Sequence, residues 1–88
     1  MELQIPTGTQ GKEELSVTFE NTAARYGSGL VEVFATPALV ALMESTCLGS
    51  VLPFLPEGWG TVGVKVDIVH TRATPVGQRV TCESTLVE

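Results

Sequence analysis

A chain of 88 residues that is 43% apolar and only 17% charged is too greasy and too weakly charged for an intrinsically disordered segment. Ten acidic against five basic residues give a net charge of −5, and the basic ones, Lys12, Arg25, Lys65, Arg72 and Arg79, are scattered, which excludes the clustered cations that a nucleic-acid backbone requires. A chain of this size buries only roughly 60–65% of its unfolded surface, so stabilisation by further sequence or by further copies is expected.

The first residues, Met1-Glu2-Leu3-Gln4, carry no basic region followed by an apolar run, so no secretory signal is expected, and no stretch reads as long and apolar enough to span a bilayer. Cys47 and Cys82 lie far apart without CxxC spacing, and there is no second histidine for a zinc site. Free thiols in a reducing cytoplasm are the default reading, with a disulfide between the two still open.

Residues Met1 to Lys12, with Pro6, Gly8 and Gly11 among small polar residues, read as a loose entry segment. From Leu15 the alternation of Leu15, Val17 and Phe19 with Ser16, Thr18 and Glu20 predicts a first half-buried strand. Asn21 to Tyr26 fits one helical turn, broken by Gly27-Ser28-Gly29, and a short apolar run follows from Leu30 to Phe34.

The strongest local signal is Ala35-Thr36-Pro37 followed by Ala38-Leu39-Val40-Ala41-Leu42-Met43-Glu44. Thr36 suits an N-cap and Pro37 the first helical position, where no N–H is needed, so a helix of about four turns is predicted from Pro37 to near Pro53. Its apolar residues occupy more than one face, which predicts a helix wrapped by other structure, and a curled sheet would provide that. Pro56-Glu57-Gly58-Trp59-Gly60 reads as a turn. Val62, Val64, Val66 and Ile68 then alternate with Gly63, Lys65 and Asp67 as a long strand, Thr74 to Gly77 as a hairpin connection, and Arg79 to Val87 as a last strand. The order strand, long helix, strand, strand defines an α+β chain, and it ends at Glu88 still in strand-like sequence. Two or three strands cannot cover an all-round apolar helix, so a truncated chain or pairing with another molecule is expected.

Three residues carry candidate chemistry. Glu44 is the only charged residue between Glu32 and Glu57. It is either a good helix former on a narrow solvated face with Ser45, or a carboxylate in apolar surroundings whose raised pKa would suit a general base or nucleophile. His70, the only histidine, is in phase with Val64, Val66 and Ile68 and is expected to point toward the helix, as a structural residue or as an acid or base. Helix capping alone explains Thr36, yet the free N–H groups and positive dipole end beside it would also polarise a thioester carbonyl and stabilise an oxyanion. Thr36 and Glu44 are eight residues apart, about 80° around a helix and ~12 Å along it, so one cleft serves both only if substrate or the His70 strand lies between them. Gly63 reads as a bulge or a close backbone approach to a ligand, and Phe34 and Trp59 as packing residues or as walls of an acyl pocket.

Val33 to Glu44, the following Pro53-Phe54-Leu55, then Val62-Gly63 and Val69 to Gly77 together resemble the fluoroacetyl-CoA thioesterase-like group of hot-dog proteins, over most of Leu30 to Glu88. Three separated blocks in the right order carry the resemblance. It implies a hot-dog fold, a long central helix wrapped by a curved antiparallel sheet, of which residues 1–88 form the N-terminal portion of a single domain. It further implies a homodimer or higher homo-oligomer with active sites between subunits. Thr36, Glu44 and His70 fall on the family's reactive group and Gly63 on a backbone N–H near the substrate, while Phe34 remains the substrate-binding candidate read from its place beside the helix start. The implied reaction is hydrolysis of a short-chain acyl-CoA to the free acid and CoA, with Glu44 as nucleophile or base, His70 assisting, Thr36 positioning, and neither metal nor cofactor. The stretch before Phe34 is shorter than in the fluoroacetate-resistance enzyme and lacks its aromatic lid, so fluoroacetyl-CoA is not the expected substrate. The competing readings are a hot-dog module that binds acyl-CoA without turnover and a chain whose exposed sheet edge serves only in assembly.

Overall fold

In the computed structural model, residues 5–27, 29–61 and 63–87 are described. Two strands, β1 (Gln10–Ser16) and β2 (Arg79–Thr85), pair antiparallel, with Leu15 opposite Val80, Glu13 opposite Cys82 and Gly11 opposite Ser84. These three pairs face inward. The outer face is polar, with Lys12 opposite Glu83 and an exposed Arg79–Glu14 ion pair at 3.5 Å.

The first strand thus lies earlier than its sequence predicts. The inward residues Gly11 and Glu13 are not apolar, so hydrophobic alternation cannot register them, and the sequence reads as a loose entry segment up to Lys12. Both have specific partners on the helix behind. A Cβ on Gly11 would sit 2.7 Å from the Thr46 backbone oxygen and 2.8 Å from Ser50 Cβ and Ser84 Oγ, so only glycine lets the strand approach this closely. Glu13 accepts hydrogen bonds from Ser45 Oγ at 3.0 Å and Thr46 Oγ1 at 2.9 Å. Beyond Val17 the expected strand gives way to a 3-10 turn, Phe19–Asn21, followed by the one-turn helix α1 (Ala23–Tyr26), capped by Thr22 Oγ1 accepting from the Arg25 N–H at 3.3 Å.

The long helix α2 spans Thr36–Val51 and tightens into a 3-10 turn, Leu52–Phe54, at Pro53. Ala38, Leu42 and Thr46, spaced four apart, are buried toward the sheet. Ala38 and Leu42 join Val17, Phe34 and Ala35 in the core, which Leu15, Leu39, Val80 and Cys82 flank. Thr36–Phe54 is a helical run of 19 residues, long and apolar enough to cross a membrane by length and composition, which corrects the expectation that no stretch is. Ala38, Leu42 and Thr46 pack as a stripe against β1 and β2, while most of the remaining helix surface is exposed or half-buried.

The strand expected over Val62 to Ile68 is not a hydrogen-bonded strand. Val62 lies outside the described residues, and 63–70 are extended without a ladder partner among the described residues. The valine alternation is real, but a strand also needs a neighbour, and β2 pairs with β1 instead. The turn expected at Thr74 to Gly77 makes that exchange: Gly77 adopts φ +97°, its N–H donates to the Val17 oxygen at 2.9 Å, and the Val17 N–H donates to the Gln78 oxygen at 2.8 Å. Phe34 is drawn in beside it, its N–H donating to the Thr74 oxygen at 2.8 Å.

Candidate functional site

At the N-terminal end of α2 the cap is Ala35, whose extended backbone (φ −76°, ψ 143°) precedes Thr36 as the first helical residue. Ala35 has no side chain to cap with. The expectation that Thr36 is the N-cap is therefore corrected by one position, and the reason matters chemically. A hydroxyl at the first helical position is not engaged with the first-turn N–H groups, and Thr36 Oγ1 lies 2.7 Å from His70 Nδ1. With the hydroxyl donating to Nδ1, Nε2 keeps its proton and presents a donor; with Nδ1–H donating to the hydroxyl, Nε2 presents an acceptor able to take a proton. Either tautomer aims one ring nitrogen away from Thr36.

This pair sits on a depression of about 360 Å³ walled by Ala23, Val33, Phe34, Thr71, Arg72 and Ala73. Phe34 is 2% exposed, so its ring serves the core first and only borders the depression. The residues from His70 to Ala73 all reach it because the backbone bends at Arg72.

Two turns further along α2, Glu44 stands exposed, so the chain alone does not give it the apolar enclosure weighed from its isolation in sequence. Its carboxylate meets Gly63: a Cβ there would lie 3.2 Å from Glu44 Oε2. Gly63 is thus a close-approach glycine rather than a bulge, since no ladder runs through it. Glu44 and Gly63 share a cavity of about 290 Å³ with Val40, Met43 and Cys47 on the helix and Lys65 to Ile68 on the extended segment. Val40 and Cys47 flank Glu44 at four and three residues, the spacing that places them on its face.

The segment from Gly63 to Ala73 therefore brings His70 to Thr36 and Gly63 to Glu44, in two separate depressions along α2 that share no lining residue. Arg72, Val40, Met43 and Cys47 also line these depressions, beyond the residues that stand out in the sequence. Position relative to Glu44 could have found the three helix residues, whereas nothing local marks Arg72. Trp59, half exposed at its turn, borders neither depression.

A helix backed by an antiparallel sheet makes this an α+β chain of the hot-dog fold, with a Thr–His pair at the start of the helix and a carboxylate two turns on. The family model for fluoroacetyl-CoA-specific thioesterase matches residues 17–88, and the chain belongs to that family. It is 44% identical over 55 residues to the fluoroacetyl-CoA thioesterase of Streptantibioticus cattleyicolor, a stretch that is 62% of this chain and 40% of that protein. Among solved structures, a fluoroacetyl-CoA thioesterase superposes with TM-score 0.88 at 31% identity, covering 97% of this chain and 67% of that one. A phenylalanine-to-alanine variant of a fluoroacetyl-CoA-specific thioesterase, solved with fluoroacetate and CoA, superposes with TM-score 0.87 at 30% identity, covering 96% and 72%. A threonine-to-serine variant solved with acetyl-CoA gives TM-score 0.88 at 30% identity, covering 96% and 68%. The hot-dog fold expected from sequence is thereby shown.

Proposed function

We propose that this protein hydrolyses a short-chain acyl-CoA thioester to the free acid and CoA. The observation that carries the reading is the 2.7 Å contact between Thr36 Oγ1 and His70 Nδ1 at the start of α2, in a chain of this family. Thr36 fixes the ring, leaving Nε2 to meet the thioester or the departing sulfur. Glu44 either takes a proton from the attacking water or attacks the carbonyl carbon itself. In the first route the water oxygen joins the carbonyl carbon directly; in the second the mixed anhydride formed on Glu44 is cleaved by a water, which restores the carboxylate; in both the C–S bond breaks, the sulfur leaves as CoA thiol with a proton delivered from the site, and the acyl group leaves as the carboxylic acid.

The two couples, Thr36 with His70 and Glu44 with Gly63, stand ~12 Å apart in helix rise, of which the long Glu44 and His70 side chains and the thioester fill part. A homodimer with active sites between subunits supplies the remaining walls. What supports it is the extended segment 63–73, which makes no backbone hydrogen bond among the described residues while leaving Val64 at 95% and Val69 at 81% exposure. The free cysteines Cys47 and Cys82 support a cytoplasmic location.

The test is loss of thioester absorbance with acetyl-, propionyl- and butyryl-CoA. This readout avoids thiol reagents, with which exposed Cys47 would react. Glu44→Gln and His70→Ala are each expected to lower kcat at least about a hundredfold. Wild-type rates in both variants would refute the reading, and tight acyl-CoA binding without turnover by the wild type would replace it with a binding module. Sedimentation tests the dimer.

A further inference from the structure

The geometry points to Arg72 as a specificity-determining residue that receives a carboxylate at the far end of the acyl group, so that the preferred substrates are short dicarboxylic acyl-CoA thioesters. This inference rests on the thioesterase reading above. Of the five basic residues, four have a carboxylate for company. Arg25 pairs with Glu20 at 3.3 Å, Arg79 pairs with Glu14 at 3.5 Å, Lys12 lies opposite Glu83 across the sheet, and Lys65 shares its cavity with Glu44 and Asp67. Arg72 makes no ion pair among the described residues, and no carboxylate lines the depression it borders. It borders the depression that holds Thr36 and His70, and the remaining wall there is Ala23, Val33, Phe34, Thr71 and Ala73, without a carboxylate.

In a chain of net charge −5 the lining of the depression beside the reactive pair thus holds one cation and no carboxylate, against the trend of the molecule. A guanidinium there is matched in shape and charge to a planar carboxylate, which it binds through two parallel N–H donors. The ligand chemistry is an anionic oxygen group, and CoA itself offers another source in its phosphates. The depression decides between them. At about 360 Å³ it admits a small acyl group, and Arg72 shares it with the residues that meet the reacting carbonyl. The long pantetheine arm holds the phosphates well outside such a space.

The experiment compares succinyl-CoA with butyryl-CoA, equal in acyl carbon number, by thioester absorbance at low salt, in wild type, Arg72→Ala and Arg72→Lys. Wild type is expected to favour succinyl-CoA in kcat/KM by about tenfold, the worth of one charge-assisted pair. Arg72→Ala removes that preference while leaving butyryl-CoA within about twofold, and Arg72→Lys restores part of it. Equal rates on the two substrates in wild type, or an unchanged ratio in Arg72→Ala, overturn the inference. Equal losses on both, absent with N-acetylcysteamine thioesters that lack phosphates, assign Arg72 to the CoA phosphates and also overturn it. Calorimetric binding of S-(3-carboxypropyl)-CoA and S-butyl-CoA, thioethers that cannot be hydrolysed, reads the same preference without turnover. A protein that hydrolyses nothing but binds the carboxylated thioether about tenfold tighter, through Arg72, refutes the thioesterase reading and keeps the anion site; equal binding refutes both.

Discussion

Replacing Gly63 with alanine separates the chemistry of this chain from its folding. The added Cβ would lie 3.2 Å from Glu44 Oε2 and 3.6 Å from its Cδ, a few tenths of an ångström inside ordinary contact. The obstructing atom is the end of an exposed, flexible side chain, and Gly63 itself is exposed and outside any ladder. The carboxylate can swing aside at almost no cost, so stability should stay within about 0.5 kcal/mol of wild type. Catalysis has no such tolerance. A misplacement of about 1 Å costs on the order of a hundredfold in rate, so a shift of a few tenths, with the carboxylate turned from the substrate, should cost about tenfold in kcat. Urea unfolding reads the first quantity and loss of thioester absorbance the second. Unchanged turnover in a normally folded Gly63→Ala protein would show that the Glu44–Gly63 approach has no part in the working site. A large loss of stability would show instead that Gly63 is a folding residue.

Gly11→Ala should behave in the opposite way, because its Cβ meets the Thr46 backbone oxygen at 2.7 Å and backbone cannot swing aside; about 1–3 kcal/mol of destabilisation is expected in urea. Gly49→Ala, in the last turn of α2 with nothing within 4 Å, should stabilise by about 0.5 kcal/mol in the same assay. Thr36→Val removes a hydroxyl that bonds His70 rather than the helix end, so it should cost activity but less than about 0.5 kcal/mol of stability, where loss of a true N-cap would cost about 1 kcal/mol; Thr36→Ser should restore turnover. Phe34→Ala empties the middle of the core and should cost about 3–5 kcal/mol, enough to unfold a chain this small in a thermal melt.

What the sequence made legible follows from how local the signals are. Pro37, the apolar run after it and Pro53 bracket α2 to within a residue or two, and the punctuation around Gly77 announces β2, because capping, proline sterics and glycine conformation act within a few residues. β1 was misplaced because what makes it a strand is on other elements: the Thr46 carbonyl against Gly11, and the Ser45 and Thr46 hydroxyls on Glu13. The alternation from Gly63 to Ile68 was legible as pattern but not as partnership. In the candidate site, the isolation of Glu44 and the uniqueness of His70 stood out. Their grouping with Thr36 came from the family resemblance, since Thr36 and His70 are 34 residues apart in sequence.

The site has two halves of unequal rigidity, and this bears on how assembly and catalysis are linked. Thr36 and Glu44 ride on α2, whose backbone bonds are internal and whose buried stripe is clamped to β1 by Glu13. Gly63, His70 and Arg72 ride on a segment without backbone hydrogen bonds among the described residues, tied to the helix chiefly through the Thr36–His70 contact. Local stability follows the density of such bonds, so this half opens at lower free energy than the sheet and helix. A second strand laid along the 63–73 edge would satisfy its amides and cover Val64 and Val69. It would also fix the glycine that abuts the carboxylate, the ring that meets Thr36 and the guanidinium beside them. The glycine and the ring must hold their places to within a fraction of an ångström for the proposed hydrolysis, and the guanidinium for the proposed substrate preference. On the proposed reading, whatever pairs with that edge sets the turnover rate as well as the stability.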